Sequence, residues 1–202
     1  MHPGPAPQIA AAALILSLAI NACTTHQKPA APNAMTNAEK PAHNDNQPPD
    51  HIRAWMQRLT VPHHYDPDTG FIVADRTVPL PPVLDSAPPL ATAAKAAEER
   101  GITLIAFATA DRCAPCQQYK LDAINDTRVI SALRNATRQG RIVAAHVEVD
   151  REPDEAKRIL GSHAIPMTYA ISNGTVTATL RGQRPADELL DFINEHTQQH
   201  PR

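Results

Sequence analysis

Two cysteines separated by two residues carry the strongest chemical signal in this 202-residue chain. Cys113 and Cys116 enclose Ala114 and Pro115 in the segment "DRCAPC", and the chain has one other cysteine, Cys23. Thiols at this spacing can cycle between dithiol and disulfide, can ligate a soft metal ion, or can form a structural crosslink. The surrounding sequence has to distinguish these three possibilities.

The position of the pair favours redox chemistry. Cys113 follows a predicted strand and precedes a predicted helix, so the unpaired N–H groups of the helix N-terminus should lower its pKa from about 8.5. Pro115 suits the first helical turn, because a missing N–H costs nothing there. Cys116 comes one helical turn after Cys113. The sequence therefore predicts a reactive Cys113 and a more buried, resolving Cys116.

Two other interpretations of the pair stay open. A crosslink between residues this close together closes a very small loop and gains little chain entropy. The two thiolates could hold Cu(I) or Zn with His146 or His163, but no second CxxC completes a four-ligand site, so no metal is expected. We expect His63 and His64, which lie in a proline-rich stretch, to be solvated rather than metal-bound.

Residues 89–202 show the alternation of an α/β protein and are predicted to form the domain core. Apolar runs over 102–108 and 142–149 predict strands buried on both faces, with amphipathic helices around them. Asn173-Gly174 between two short apolar segments predicts a closing β-hairpin, which a final helix follows. The predicted helix ends, one N-cap and three terminating glycines, are at Asp126, Gly101, Gly140 and Gly161.

Residues 51–88 are predicted to be an N-terminal extension. "HIRAWMQRL" predicts a short helix and "FIVADRTV" predicts the first strand, whereas the prolines of "VPHHYDP" and "VPLPPVLDSAPP" predict irregular structure. From residue 71 the order is then strand, helix, strand, helix, strand, helix, strand, strand, helix. This order predicts a mixed central sheet with helices on both faces and a C-terminal β-hairpin plus helix.

The first 50 residues indicate export. Residues 9–22 form an apolar segment that is short for a membrane span and typical of a signal-peptide core. The residues "INA" before Cys23 resemble the cleavage box of bacterial lipoproteins, which implies a signal peptide over residues 1–22 and a lipid on Cys23. The alternatives are a plain signal peptide, an uncleaved anchor or an apolar helix without a targeting role. Residues 23–50 contain almost no large apolar side chain, which predicts a flexible tether.

The C-terminal part of the chain resembles the thioredoxin family. "CAPC" after a buried strand is followed, in family order, by "HAIPMTYAISNG" and a final helix, over roughly residues 71–197. The stretch "CQQYKLDAINDTRVISAL" also resembles the thioredoxin-like modules of exported disulfide reductases. The resemblance implies the thioredoxin fold, a cofactor-free thiol–disulfide oxidoreductase and a cis Ile165–Pro166 bond. It also implies that Ile165, Pro166, Ala114 and Pro115 receive an extended substrate segment.

Four positions depart from the thioredoxin pattern. Arg112 replaces the tryptophan before the first cysteine, and Phe107 replaces a buried acid. His146 replaces the lysine near that acid, and Gln117 replaces the lysine after the second cysteine. Arg112 would favour the thiolate of Cys113. His146 is a hypothetical acceptor for the proton of Cys116, and the alternative is a plain structural histidine.

The resemblance and the targeting signal together imply an enzyme of the bacterial cell envelope. It would reduce protein disulfides, face the periplasm on a lipid anchor at Cys23, with the outer membrane slightly favoured, and receive electrons from a membrane electron-donor protein. The Ala-Pro dipeptide favours reduction over oxidation or isomerisation, whereas Arg112 favours oxidation. The alternative function is a non-catalytic binding module or a Cu(I)/Zn-handling protein. A net charge of -2 and 3% aromatic residues argue against nucleic-acid binding.

Overall fold

The computed structural model describes residues 47–198. Cys23, the predicted signal peptide and most of the predicted tether lie outside the described residues. Among the described helices, none is long and apolar enough to cross a lipid bilayer. The helices are α1 (Asp50–Met56), α2 (Pro82–Asp85), α3 (Leu90–Glu99), α4 (Ala114–Tyr119), α5 (Thr127–Arg138), α6 (Pro153–Leu160) and α7 (Ala186–Gln198), with a π-helical turn (Lys120–Ile124) after α4. The strands are β1 (His63–Asp66), β2 (Phe71–Ala74), β3 (Thr103–Thr109), β4 (Ile142–Glu148), β5 (Met167–Ser172) and β6 (Thr175–Arg181).

Four of these strands form the central sheet, in the order β4-β3-β5-β6. β3 and β4 are parallel, whereas β5 runs antiparallel to β3, and β6 to β5. Every residue of β3 is buried, because α4, α5 and α7 pack on one face of the sheet and α3 and α6 on the other. This topology is the thioredoxin fold. The predicted mixed sheet, with helices on both faces and a C-terminal hairpin plus helix, is confirmed.

Local signals at the ends of the elements act as the sequence predicted. The Asp126 side chain accepts a hydrogen bond from the N–H of Arg128 and caps α5. Gly161 adopts the left-handed conformation directly after α6, with φ 71°. Asn173 and Gly174 have φ values of 51° and 71°, as the two-residue turn between β5 and β6 requires.

The predicted first strand does not join the central sheet. β2 pairs instead with β1 in a separate antiparallel hairpin. The prediction that "VPHHYDP" is irregular was wrong, because Pro62 and Pro67 stand just outside β1 and leave the four residues between them free to form ladder hydrogen bonds. The proline-rich segment before α3 also contains a short helix, α2, with Pro82 at its first position.

The N-terminal extension packs against the helix that carries Cys116. Leu59, Val61 and Ile72 form a small apolar cluster with Ala114 of α4, and side chains of α1 pack around it. This cluster seats the β1–β2 hairpin beside the loop that leads into α4.

Candidate active site

Cys113 and Cys116 form a disulfide at the start of α4. Cys113 is the N-cap residue of this helix, and its Sγ accepts a hydrogen bond from the Cys116 N–H at 3.2 Å. Cys113 is partly exposed, whereas Cys116 is fully buried, with 0% of its surface accessible. The first sulfur is therefore the one that a second molecule can reach.

The two residues between the cysteines are both buried. Pro115 lies in the first turn of α4, where the sequence predicted it. Ala114 packs against the extension. Their predicted contact with substrate stays a prediction, and the packing of Ala114 against the extension gives that residue a structural role as well.

The Ile165–Pro166 peptide bond is cis, which confirms that prediction. Met167, the next residue, pairs with Ala108 of β3, so the cis bond lies at the end of the sheet from which the chain runs to Cys113. The Pro166 carbonyl accepts a hydrogen bond from the N–H of Gly182, and Ile165 keeps part of its side chain exposed. The predicted substrate-binding pair thus stands at the same end of the sheet as the disulfide.

Arg112 is exposed next to Cys113 and lies against the hairpin. Its carbonyl accepts a hydrogen bond from the Ala74 N–H at 2.8 Å. The Thr69 hydroxyl is the main cause that lowers the pKa of Asp66, and the charge of Arg112 adds to this effect. The positive charge beside Cys113 therefore has an acidic neighbour on β1.

His146 lies on the face of β4 that α4 covers. Its Nε2 is 2.7 Å from the Thr109 hydroxyl, and its strand partner is the fully buried Phe107. Burial lowers the pKa of His146 to about 4, and the positive charges of Lys120 and Arg151 add to this effect, whereas the charge of Asp111 opposes it. A base with so low a pKa accepts a proton poorly at neutral pH, which weakens the hypothetical role of His146 as the acceptor for Cys116.

A cluster of charged side chains that the sequence did not reveal lies at the loop between β3 and α4 (residues 110–113, the redox loop). Lys120 exposes only 3% of its side chain, and its Nζ is 3.7 Å from the Oδ1 of Asp111. Glu148 at the end of β4 is 8% exposed, and its Oε1 accepts the Asp111 N–H at 3.0 Å. Arg151 pairs with the same aspartate from outside. We call Asp111, Lys120, Glu148 and Arg151 the charge cluster.

Burial is the main influence on the pKa of two members of the charge cluster, Lys120 and Glu148. It lowers the pKa of Lys120, with Asp111 and Glu148 acting in the opposite direction. It raises the pKa of Glu148, whose Oε2 is buried and makes no hydrogen bond within the described structure. Lys120 follows Cys116 by one helical turn, and its N–H binds the Cys116 carbonyl. That four-residue spacing was the signal in the sequence that could have revealed Lys120.

Two glutamines that follow Cys116 fasten the extension to α4. The Oε1 of Gln118 accepts the N–H groups of Thr60 and Val61 at 2.7 and 3.0 Å. The Oε1 of Gln117 accepts the Val78 N–H at 2.7 Å, and its Nε2 donates to the carbonyls of residues 110 and 111. Both side chains are buried, and the bonds of Gln118 to Val61 and of Gln117 to the carbonyl of residue 110 are buried as well.

The histidines considered as metal ligands have other partners. His64 pairs with Asp75 at 2.6 Å, His63 donates to the Val61 carbonyl at 2.7 Å, and His163 donates to the Pro153 carbonyl at 2.9 Å. Between residues 47 and 198, no group of three or more His, Cys, Asp or Glu side chains is arranged to hold a metal ion.

The chain is similar in structure to solved thioredoxins. No protein-family model matches it, and no curated protein matches it. The thioredoxin of Thermus thermophilus is 25% identical, with a TM-score of 0.43, over 53% of this chain and 82% of that chain. A poplar thioredoxin h mutant is 17% identical, with a TM-score of 0.43, over 71% and 95%. The Fasciola hepatica thioredoxin is 20% identical, with a TM-score of 0.38, over 50% and 88%.

The sheet order, the helix placement and the disulfide-forming CxxC pair indicate a redox protein with the thioredoxin fold. At this general level the expected thiol–disulfide oxidoreductase chemistry is supported. The roles of individual site residues, the substrate and the location of the protein stay predictions.

Proposed function

We propose that this protein is a thiol–disulfide oxidoreductase of the cell envelope that reduces protein disulfides. The observation that carries the proposal is the asymmetric disulfide, with a partly exposed Cys113 at a helix N-terminus and a fully buried Cys116. A structural crosslink has no need for one accessible sulfur, whereas an exchange reaction requires it.

The reaction proceeds through a mixed disulfide. The thiolate of Cys113 attacks one sulfur of the substrate disulfide, the substrate S–S bond breaks, and the departing sulfur takes up a proton. Cys116 then loses its proton and attacks the Sγ of Cys113. The second substrate thiol leaves and takes up a proton, and the Cys113–Cys116 bond forms. Two electrons have passed from the protein dithiol to the substrate disulfide.

The backbone at the start of α4 supports the first step. The Cys116 N–H, which donates to the Sγ of Cys113 in the disulfide form, would stabilise the thiolate of Cys113 in the reduced form. Ile165 and Pro166 at the same end of the sheet are the proposed receiving surface for the substrate backbone.

Insulin reduction with dithiothreitol tests the activity. We expect the wild type to accelerate precipitation of the insulin B chain and Cys113→Ser to show only the uncatalysed rate. Cys116→Ser should retain the first step and accumulate a mixed disulfide, visible by non-reducing mass spectrometry. Equal rates for the wild type and Cys113→Ser would instead favour a binding module. Metal analysis of the reduced protein would then identify a Cu(I)- or Zn-handling version.

The direction of electron flow follows from the reduction potential of the pair. A reduction potential of about -270 mV supports a reductant, and one of about -120 mV supports an oxidant. Equilibration of the protein with a glutathione or dithiothreitol redox buffer, followed by thiol trapping, measures it. A reductant also needs a donor, for which we propose a dithiol protein of the membrane.

The proposed lipid anchor at Cys23 has its own test. We expect the wild type expressed in a Gram-negative host to incorporate labelled palmitate and to sediment with membranes. Cys23→Ser should do neither, while Cys113→Ser should retain both. A wild type that takes up no label would remove the anchor from the proposal without affecting the redox chemistry. Separation of inner and outer membranes then tests the outer-membrane expectation.

A further inference from the structure

The β1–β2 hairpin extends to the reactive sulfur. Val73 of β2 forms an antiparallel bridge with Cys113, and the Ala74 N–H donates to the Arg112 carbonyl. β2 therefore has β1 on one side and the redox loop on the other. Residues directly opposite each other in an antiparallel ladder carry their side chains on the same face. Val73 and Cys113 thus share one face, and His64, the partner of Val73 on β1, shares it too.

An aromatic side chain stands on this same face. Phe71 precedes Val73 by two residues, and side chains two apart in a strand point to the same side. At about 3.4 Å per residue, Phe71 lies about 7 Å along β2 from the residue that pairs with Cys113. Ile72, between them, points to the other side and packs in the apolar cluster with Ala114.

Phe71 is exposed although it is large and apolar. Its exposed fraction is 70%, and Leu121, at 49%, is the other exposed large apolar side chain among residues 47–198. Phe71 contributes to none of the apolar clusters of the described structure. Its ring therefore faces solvent near the partly exposed Cys113, where a second molecule can contact it.

The hairpin is connected to α4 by hydrogen bonds at both of its ends. The hydrogen bonds of Gln118 to Thr60 and Val61, and of Gln117 to Val78, connect the segments on both sides of the hairpin to α4. A surface fixed in this way contributes binding energy without an ordering cost.

We propose that Phe71, on the face shared with Cys113, is a docking contact for the polypeptide substrate and selects segments with a bulky apolar side chain near the reactive cysteine. The spacing of about 7 Å corresponds to two residues of an extended substrate strand. The occupant is a protein segment rather than a small disulfide, because it has to reach Cys113 and Phe71 at the same time. This inference rests on the proposed function of the same site.

Matched peptide disulfides test the proposal on the full mature chain. Two symmetrical peptide disulfides carry either Leu or Ser at both positions two residues from the cysteine, and the prereduced protein reacts with each in a single turnover. We expect the wild type to reduce the Leu peptide about tenfold faster, since partial burial of one leucine supplies an effect of this size. Phe71→Ala should remove this preference, and Phe71→Leu should retain most of it.

Controls separate docking from chemistry and from folding. Leu121→Ala removes the other exposed large apolar side chain and should keep the full preference. All variants should reduce hydroxyethyl disulfide, which is too small to contact Phe71, at the wild-type rate. A loss with this small probe, or an equal loss of preference in Leu121→Ala, would overturn the proposal.

The remaining outcomes are also decisive. A wild type that reduces both peptides equally defeats the docking proposal and leaves the proposed function standing. A wild type that reduces neither peptide nor insulin defeats the function and the docking proposal with it. If Phe71→Ala reduced the Leu peptide faster than the wild type does, another part of the chain would have to cover Phe71. A concentration-dependent dimer that Phe71→Ala abolishes would show that a second copy does. Either result overturns the inference.

Discussion

The two sulfurs of the CxxC pair lie in opposite physical surroundings. Cys113 is partly exposed between the hairpin and solvent, with an exposed arginine before it and Phe71 on the neighbouring strand. Cys116 is fully buried, with Lys120 one turn further along the helix and the charge cluster at the redox loop. In the proposed reaction the outer sulfur meets the substrate, whereas the inner one attacks the outer sulfur from within the protein. The residues that surround the accessible sulfur are therefore different from those that surround the buried one.

The largest effect is expected at Lys120, the buried cation one helical turn after Cys116. Lys120→Met removes the buried cation beside Asp111 and Glu148, whereas Arg151 still pairs with Asp111 from outside. Removing one partner of a buried pair costs about 3–5 kcal/mol, and the remaining pair with Arg151 puts the expected loss at the lower end of this range. We expect the free energy of unfolding in urea to fall by an amount of this order. Lys95→Met is the matched control, because Lys95 pairs with Glu99 on the surface and such pairs contribute about 0–1 kcal/mol. Equal losses in the two variants would show that the cluster is no more than a surface network.

The pH dependence of stability tests the burial of His146. Its pKa is about 4 in the folded protein and about 6.5 when unfolded, so the unfolded chain binds a proton that the folded one does not between these values. The contribution is therefore intact above pH about 6.5 and is lost as the pH falls towards 4, by about 3 kcal/mol in total. The stability of His146→Gln, which keeps a partner for Thr109, should decline less over this range.

The control for this measurement is His163→Gln. His163 is exposed, so this variant should follow the wild-type curve. A His146→Gln curve parallel to the wild type would contradict the burial argument. The same variant decides the proton-acceptor hypothesis, because an unchanged pH profile of disulfide reduction would exclude His146 as the acceptor for Cys116.

Gln118 tests the contact between α4, which carries Cys116, and the segment before the hairpin beside Cys113. Gln118→Ala leaves the N–H groups of Thr60 and Val61 without their acceptor. The Val61 donor is buried, and an unsatisfied buried donor costs about 1–3 kcal/mol. We expect a loss of about 2 kcal/mol in stability, together with faster hydrogen exchange at both amides. Gln183→Ala, which removes an exposed hydrogen bond to Asp122, should change neither quantity measurably. Unchanged hydrogen exchange at residues 60 and 61 in Gln118→Ala would contradict the role of Gln118 in fastening this segment to α4.

Local signals made much of the fold predictable. The apolar run of β3, the Asp126 cap and the Asn173-Gly174 turn act within a few residues of chain, and the structure follows them. β1 was not predicted because prolines usually indicate irregular structure. Here Pro62 and Pro67 only flank the four residues that form the strand. Pairing of β2 with β1 rather than with the central sheet depends on tertiary contacts that no local pattern encodes.

The candidate site was likewise only partly predictable from the sequence. The CxxC pair could be read from spacing, because its chemistry lies within one helical turn. The charge cluster could not, since it joins Asp111, Lys120 and Glu148 from three separate elements. The hydrogen bond between Thr60 and Gln118 joins residues that are 58 positions apart. In the sequence Gln118 looks like an ordinary polar helix position. Residues that tune the site come together only in the folded chain.

The smallest predicted effect lies on the outer side, at the charges beside Cys113. Arg112→Ala removes a nearby positive charge and should move the reaction of Cys113 with iodoacetamide to higher pH. Asp66→Asn removes the acidic neighbour of Arg112 and should shift it in the opposite direction. Both shifts should shrink in about 1 M salt, because the two side chains interact through water. Arg100→Ala is the control, since Arg100 precedes β3 at the far end of the sheet from Cys113. Shifts of the same sign in Arg112→Ala and Asp66→Asn would mean that these charges act on Cys113 through the conformation of the hairpin rather than through their field.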